Sequence, residues 1–375
     1  MNNVYLERFY EEEAEPLLNQ VLSDLERDFM SNHSAWKKNM VMNFKSYWES
    51  IQMVQSKKEC SAGVLMFLIL RTRLLERDYR YKVVLYDEEW YVHPYEDVGD
   101  LDVSFIFCYF NQLWDMLLVK YAHYYNKITE IQIEQIMLRL IEPFHQYVVA
   151  LLNQSLMDGL DLDAYNAVKK ADIFQIQAGE LMEPCDVVFI QERNKKTYQK
   201  VAWLEKKLDL EYCNGDLSNL EFDRLDCRAL DLRYANFSYS IMKNASFWSC
   251  IMVGTRFRNA DLSGALLAFC NLSNADFRDC NLENAYLEGC ICYTGKKDWN
   301  QWSPTGFCET SFFNANLMRA DFTRAVLHGA DFRRAKLDGV KFDGASLLGS
   351  IFLKEDIPIC KFTDDQIGQI FIVDI

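Results

Sequence analysis

The chain has 375 residues, half of them hydrophobic, and a net charge of −15. That length allows two or three domains with true cores. An acid excess of this size excludes a protein that grips nucleic acid through its own surface charge.

Residues 1–210 read as a mostly α-helical domain. Val4 to Phe29 is charged and amphipathic, and Pro16 either breaks that helix or begins a second one. Ser34 is placed to cap a helix from Trp36 to about Val54. Cys60 to Arg77 is apolar enough for a buried central helix, and its most apolar window, Ala62 to Leu70, is too short to span a bilayer. Tyr79 to Val92 alternates around Asp87-Glu88-Glu89, the pattern of a small hairpin. Val103 to Tyr125 and Ile128 to Asn153 read as long helices, Ala164 to Gln175 as another, and Val187 to Ile190 as a short strand. Thr197 to Leu208 reads as a helix leading into the next region. The aromatics between Phe105 and Tyr125 cover more than one helix stripe, which implies burial on several sides or a partner groove.

From about residue 213 to 353 apolar residues recur every fifth position. Leu217, Phe222, Cys227, Leu232, Phe237 and Met242 open the series; after residue 307 it resumes as Phe312, Leu317, Phe322, Leu327 and onward to Phe352. Two residues before each stands a mostly small one, such as Ala235, Ser240, Ala245 or Cys250. A period of five suits neither a helix nor a strand. It suits a unit that turns one corner, with four units closing a coil of 20 residues and coils stacking at ~4.8 Å. Glycine recurs two places after the large residue, at Gly254, Gly264, Gly289 and Gly329, where a tight turn wants permissive dihedrals. The coil period stacks Phe237, Phe257 and Phe277 on one face. It also aligns Cys250, Cys270 and Cys290, better read as small buried fillers than as a redox or metal device.

Ala260-Asp261-Leu262-Ser263-Gly264, Ala275-Asp276-Phe277, Ala320-Asp321-Phe322 and Ala330-Asp331-Phe332 follow the motif Ala-(Asp/Asn)-(Leu/Phe)-X-X. This resembles the pentapeptide-repeat family over roughly two fifths of the chain. The resemblance implies a right-handed quadrilateral β-helix, a solenoid, over 211–353. The fold class expected is therefore α+β multidomain: the helical domain 1–210, the β-helix 211–353, and a cap over 354–375. Solenoid ends need covers. The helix near 197–208 serves at one end. At the other, Thr363-Asp364-Asp365-Gln366 has the form of a capping box, and Ile370 to Val373 lies across the last coil or forms a homodimer contact.

Charge lies mainly outside the repeats. Residues 211–353 hold 17 acidic and 15 basic residues, whereas residues 1–210 hold 33 and 23. One interruption, residues 293–306, carries Lys296, Lys297, Trp299 and Trp302. Tryptophan beside lysine on a loop of a rigid scaffold is a partner-binding pattern, so these four are the expected partner-binding residues. The alternative is that both tryptophans fold back and patch the coil.

No catalytic constellation stands out. His33, His93, His123, His145 and His328 share no metal-ligand spacing with one another or with cysteine. No phosphate-binding loop or nucleophile elbow is present. Neither a cofactor nor a metal is expected. With no basic-then-apolar leader at its start and twelve cysteines lacking framework spacing, the chain reads as cytoplasmic. Three readings stand. The first is a non-enzymatic protein–protein interaction scaffold with an unnamed protein partner and neither membrane nor direct nucleic-acid contact. The second, implied by some members of the family, is a DNA mimic that protects a topoisomerase such as gyrase through an acidic rod. The third is an enzyme or secreted effector acting through residues 1–210.

Overall fold

The computed structural model describes residues 4–124, 127–160, 162–181, 183–209, 211–293 and 309–374. The chain packs as two compact units that part between Arg193 and Asn194.

The first unit opens with α1 (Val4–Phe9), passes through a π-helical turn at Tyr10–Ala14, and continues as α2 (Glu15–Lys57), 43 residues long. Pro16 sits in the first turn of α2, where its missing N–H costs nothing. Ser34 caps no second helix. Neither Gly nor Pro follows Pro16 before Lys57, and the middle of α2 is held by Trp36 against Phe105 (4.7 Å between ring centroids) and Phe29 against Tyr147 (5.4 Å).

The hairpin expected near 79–92 is part of a larger sheet. Strands β1 (Ala62–Ile69), β2 (Arg80–Asp87), β3 (Glu96–Asp102), β4 (Lys170–Glu180) and β5 (Asp186–Glu192) form one five-stranded sheet in the order β3-β2-β1-β4-β5. Strand β1 pairs antiparallel with β2 and parallel with β4. The expected helix at Cys60–Arg77 is this central strand followed by the short α3 (Arg71–Leu75). All eight residues of β1 are buried, so its apolar run has no strand alternation, and short runs of this kind do not separate helix from strand. Gly63 stands at a register shift, where an added Cβ would come within 2.2 Å of the Asp87 carbonyl oxygen. The helix expected over Ala164–Gln175 shrinks to α7 (Asp163–Asn166), and β4 begins at Lys170.

Helices α4 (Ser104–Tyr121), α5 (Glu130–Arg139) and α6 (Ile141–Leu160) complete the unit. The aromatic excess of α4 is core. Phe107, Phe110 and Trp114 are buried, and Phe110 meets Phe144 of α6 edge-on at 5.4 Å.

The second unit opens with α8 (Thr197–Leu204) and continues into the five-residue repeats. The right-handed quadrilateral β-helix expected there is not what forms. The sheet of this half is an open pair of short strands, β6 (Ile351–Leu353) and β7 (Phe371–Val373). From Asp216 onward the repeats are joined by isolated single-residue parallel bridges, for example Asp216↔Asn236 and Asp261↔Asn281. The cause is the length of the unit. The fourth and fifth residues make the turn, and the fifth has positive φ, as at Asn219 (56°), Tyr239 (62°), Gly264 (69°) and Arg319 (59°). One bridging residue remains per unit, too few for a strand.

Inside, the large residues stack as their spacing predicts. Phe237, Phe257, Phe277, Phe312, Phe332 and Phe352 form one column, with successive ring centroids 5.3, 4.8, 5.1, 5.0 and 4.7 Å apart and near-parallel planes. Small polar residues bond to the preceding turn. The Ser240 Oγ donates to Leu217 O (2.6 Å), the Cys250 Sγ to Cys227 O (2.8 Å), and the Cys270 Sγ to Phe247 O (2.8 Å). Beyond β6 come α9 (Ile357–Cys360) and α10 (Asp364–Ile367), whose Thr363–Gln366 capping box is formed. Strand β7 then pairs in parallel with β6.

Candidate partner-binding face

In each five-residue unit the first and third residues point inward, leaving the second, fourth and fifth for solvent. The bridges align the second positions into four rows, each with its flanking turn residues. One face has the bridged row Asp226, Ser246, Leu266, Tyr286, Asp321, Lys341. Its centre is apolar, whereas most outward positions elsewhere are polar. Trp248, Phe269 and Tyr286 are 44%, 54% and 56% exposed, and Ala268 fills the space between the turns. Trp248 and Phe269 meet edge-to-face at 6.2 Å.

Backbone geometry fixes this patch. Phe269 occupies the turn position with φ 58°, a conformation that bulky side chains rarely adopt. Its ring lies over Gly289 of the next turn, where an added Cβ would come within 2.8 Å of the ring. A glycine thus makes room for an exposed aromatic. Beside it a shallow, open groove of about 560 Å³ is lined by Asp226, Arg228, Ser246, Trp248 and Leu266. The Ser246 Oγ is buried and has no hydrogen-bond partner.

Charge at one end of the groove is concentrated on Asp226. It accepts from the Arg228 guanidinium (2.8 and 2.9 Å) and from Lys207 Nζ (3.3 Å). The Arg228 hydrogen bonds, with a smaller contribution from Lys207, hold the Asp226 carboxyl well below the usual range. Two cations against one carboxylate leave a local positive surplus. Asp231–Arg233, Asp276–Arg278 and Asp331–Arg333 repeat the same two-residue pairing. Each of the four bridged rows is interrupted: Arg256 follows Asn236 in one, Ile241 follows Glu221 in the next, Leu266 follows Ser246 in the third, and Ile251 follows Asp231 in the fourth. No row of bare carboxylates runs along any face among the described residues.

Lys296, Lys297, Trp299 and Trp302 lie outside the described residues. Their flanks carry one clear signal. Bridges elsewhere join residues 20 apart, but Asp276↔Ser311, Asn281↔Asn316, Tyr286↔Asp321 and Ile291↔Val326 join residues 35 apart. The interruption therefore adds residues to one turn and does not replace a coil.

The histidines are dispersed. His93 bonds Asp87 (2.7 Å), which raises its pKa. Burial lowers that of His33. His145 is buried against Tyr81, whose hydroxyl lies 3.1 Å from its Nδ1. His328 bonds the Ser346 hydroxyl (2.8 Å), and His123 is exposed. Among the described residues no group of three or more His, Cys, Asp or Glu is placed to hold a metal. In the cysteine column Cys250 and Cys270 are hydrogen-bonded fillers, and burial pushes the thiols of Cys290 and, outside that column, Cys280 well up.

A family model described as pentapeptide repeats matches residues 255–291 and 310–352 in eight copies. The C-terminal unit carries a pentapeptide-repeat domain. The N-terminal unit matches no family model. No curated protein matches the chain. Among solved structures, a pentapeptide repeat protein from the Arabidopsis thaliana thylakoid lumen is 20% identical, covering 44% of this chain and 75% of its own, with a TM-score of 0.14. QnrB1, a plasmid-mediated fluoroquinolone resistance protein, is 15% identical over 44% of this chain and 86% of its own (TM-score 0.22). HetL of Nostoc, described as involved in heterocyst differentiation regulation, is 16% identical over 42% and 98% (TM-score 0.14). At these values none of the three bears on what this chain does.

Sequence reasoning passed over the pentapeptide-repeat face with Trp248, Leu266, Phe269 and Tyr286. The signal was present. Reading the outward positions in columns of twenty, as the inward ones were read, brings these four together.

Proposed function

We propose that this protein is a non-enzymatic protein–protein interaction module whose pentapeptide-repeat domain presents a partner-binding face centred on Trp248, Leu266, Phe269 and Tyr286. The observation that carries this reading is the exposure of three large aromatics on one rigid face, one of them held in a strained backbone conformation over a glycine. Exposed aromatic clusters of this kind mark interaction sites. The segment with Lys296, Lys297, Trp299 and Trp302 is a second contact region suggested by sequence.

A topoisomerase-binding DNA mimic requires a continuous acidic row, and the interrupted rows and Asp–Arg pairs speak against it. The test is a photo-crosslinking residue placed at Phe269 and, on another face, at Phe313. The reading predicts a discrete adduct with a protein partner from position 269 alone. Equal labelling from both positions contradicts it, as does inhibition of gyrase supercoiling by the purified protein.

A further inference from the structure

The groove beside Trp248 has a polarity that specifies its occupant. Arg228 and Lys207 flank Asp226 at one end, and this carboxylate already accepts hydrogen bonds from both. Their remaining donors face solvent, since Arg228 is 58% and Lys207 40% exposed at the side chain. At the other end Trp248 and Leu266 supply the apolar part of the lining. Between them the Ser246 hydroxyl is buried without a partner. Cationic end, unpaired hydroxyl and apolar end therefore succeed one another along three adjacent turns.

From these features we infer that the groove takes a peptide segment of a partner protein in which a carboxylate lies close to one large apolar side chain. This rests on the interaction reading above. The carboxylate engages Arg228 and Lys207, a backbone group meets Ser246, and the apolar side chain seats against Trp248 and Leu266. Spacing follows from the stack. Arg228 lies two turns from Leu266 and one from Trp248, so an anchor between them sits ~7–10 Å from the cations. An extended chain covers that in about two to three residues. Residues 211–353 are near charge balance, with 17 acidic and 15 basic residues, so this local positive end is a discriminating feature for an acidic segment.

The substitutions that test this are ones the repeats already tolerate. Position 266 is equivalent to Asp226 and Asp321 in other turns, and position 248 to Thr323. Leu266→Asp and Trp248→Thr therefore remove the apolar end with residue types that fold there. Arg228→Glu reverses the cationic end. The probes are synthetic ten-residue peptides carrying glutamate two or three residues from leucine, phenylalanine or tryptophan, with lysine-for-glutamate and alanine-for-anchor controls. Binding to the full-length protein is measured by calorimetry at low and physiological salt.

The inference predicts saturable binding of the glutamate peptides, weakened about tenfold or more by either Leu266→Asp or Arg228→Glu. Both controls lose binding, the melting curve of Leu266→Asp stays unchanged, and Arg228→Glu, which also gives up the Asp226 pair, is compared at matched folded concentration. Equal binding of the lysine peptides overturns the acidic specificity while leaving an apolar docking face standing. Absence of binding by every peptide overturns the groove assignment. In that case a crosslink from position 269 still tests the broader interaction reading.

Discussion

The bridges on either side of the interruption predict what happens when it is removed. Tyr293 is the fourth residue of its unit, and its N–H donates to the Ser273 hydroxyl of the turn before. Thr310 is the first residue of its unit, and its hydroxyl donates to Leu272 O at 2.8 Å, in the same way as Thr255 to Leu232. Joining Tyr293 directly to Glu309 yields Cys290-Ile291-Cys292-Tyr293-Glu309, a complete five-residue unit, followed by Thr310-Ser311-Phe312 in register. Excision of residues 294–308 should therefore leave the stack intact. Closing a connection of some fifteen residues costs entropy of up to ~2.4 kcal/mol, so removal is neutral or stabilising within that bound. The assay is hydrogen exchange at amides that cross the junction: Phe277 to Ser311 O, Ser311 to Ala275 O, and Cys292 to Val326 O. Protection at these amides should be retained or raised. Loss of protection, or unfolding of the second unit, would refute the account of the interruption as an addition at one corner.

Other consequences can be checked separately. Gly289→Ala places a Cβ within 2.8 Å of the Phe269 ring at φ 62°, so it should cost about 1–2 kcal/mol in denaturant unfolding and displace Phe269 from the patch. Cys270→Ser keeps a donor to Phe247 O, whereas Cys270→Ala removes it and should cost about 1 kcal/mol more than the serine variant. In the native protein Cys227, Cys250, Cys270 and Cys290 should resist alkylation that labels the exposed Cys108; rapid labelling of the four would contradict the packing. Asp226 has its pKa depressed chiefly by the Arg228 hydrogen bonds. Its contribution is present above an unfolded pKa of about 3.9 and fades as pH falls through the folded value. Asp226→Asn should then lower stability at pH 7, change little in strong acid, and so flatten the acid limb of the stability curve.

The repeat was legible because one inward residue in five must be large, and sequence records that demand directly at Phe237, Phe257 and Phe277. What it did not convey was how few backbone residues remain for pairing, so strands were expected where single bridges form. In the first unit β1 looked helical because burial on both faces erased its alternation, and β4 did so because α7 precedes it. Yet the apolar Phe174, Ile176 and Ala178 do alternate with Gln175 and Gln177 in β4, and period-two counting would have found them. The candidate face was harder. It depends on which outward positions share a column, and that follows only when the coil length is applied to the surface as well as to the core. Attention went instead to Trp299 and Trp302, conspicuous as a break in the pattern.

These two places can be told apart in one experiment. The photo-crosslinker at position 269 is introduced into the otherwise native chain, into Leu266→Asp, and into the protein lacking residues 294–308, and adduct yield is compared at matched folded concentration. The account predicts that the adduct disappears in Leu266→Asp and persists after excision. An adduct that survives Leu266→Asp and vanishes with residues 294–308 would contradict the central claim and move the contact to the segment containing Trp299 and Trp302.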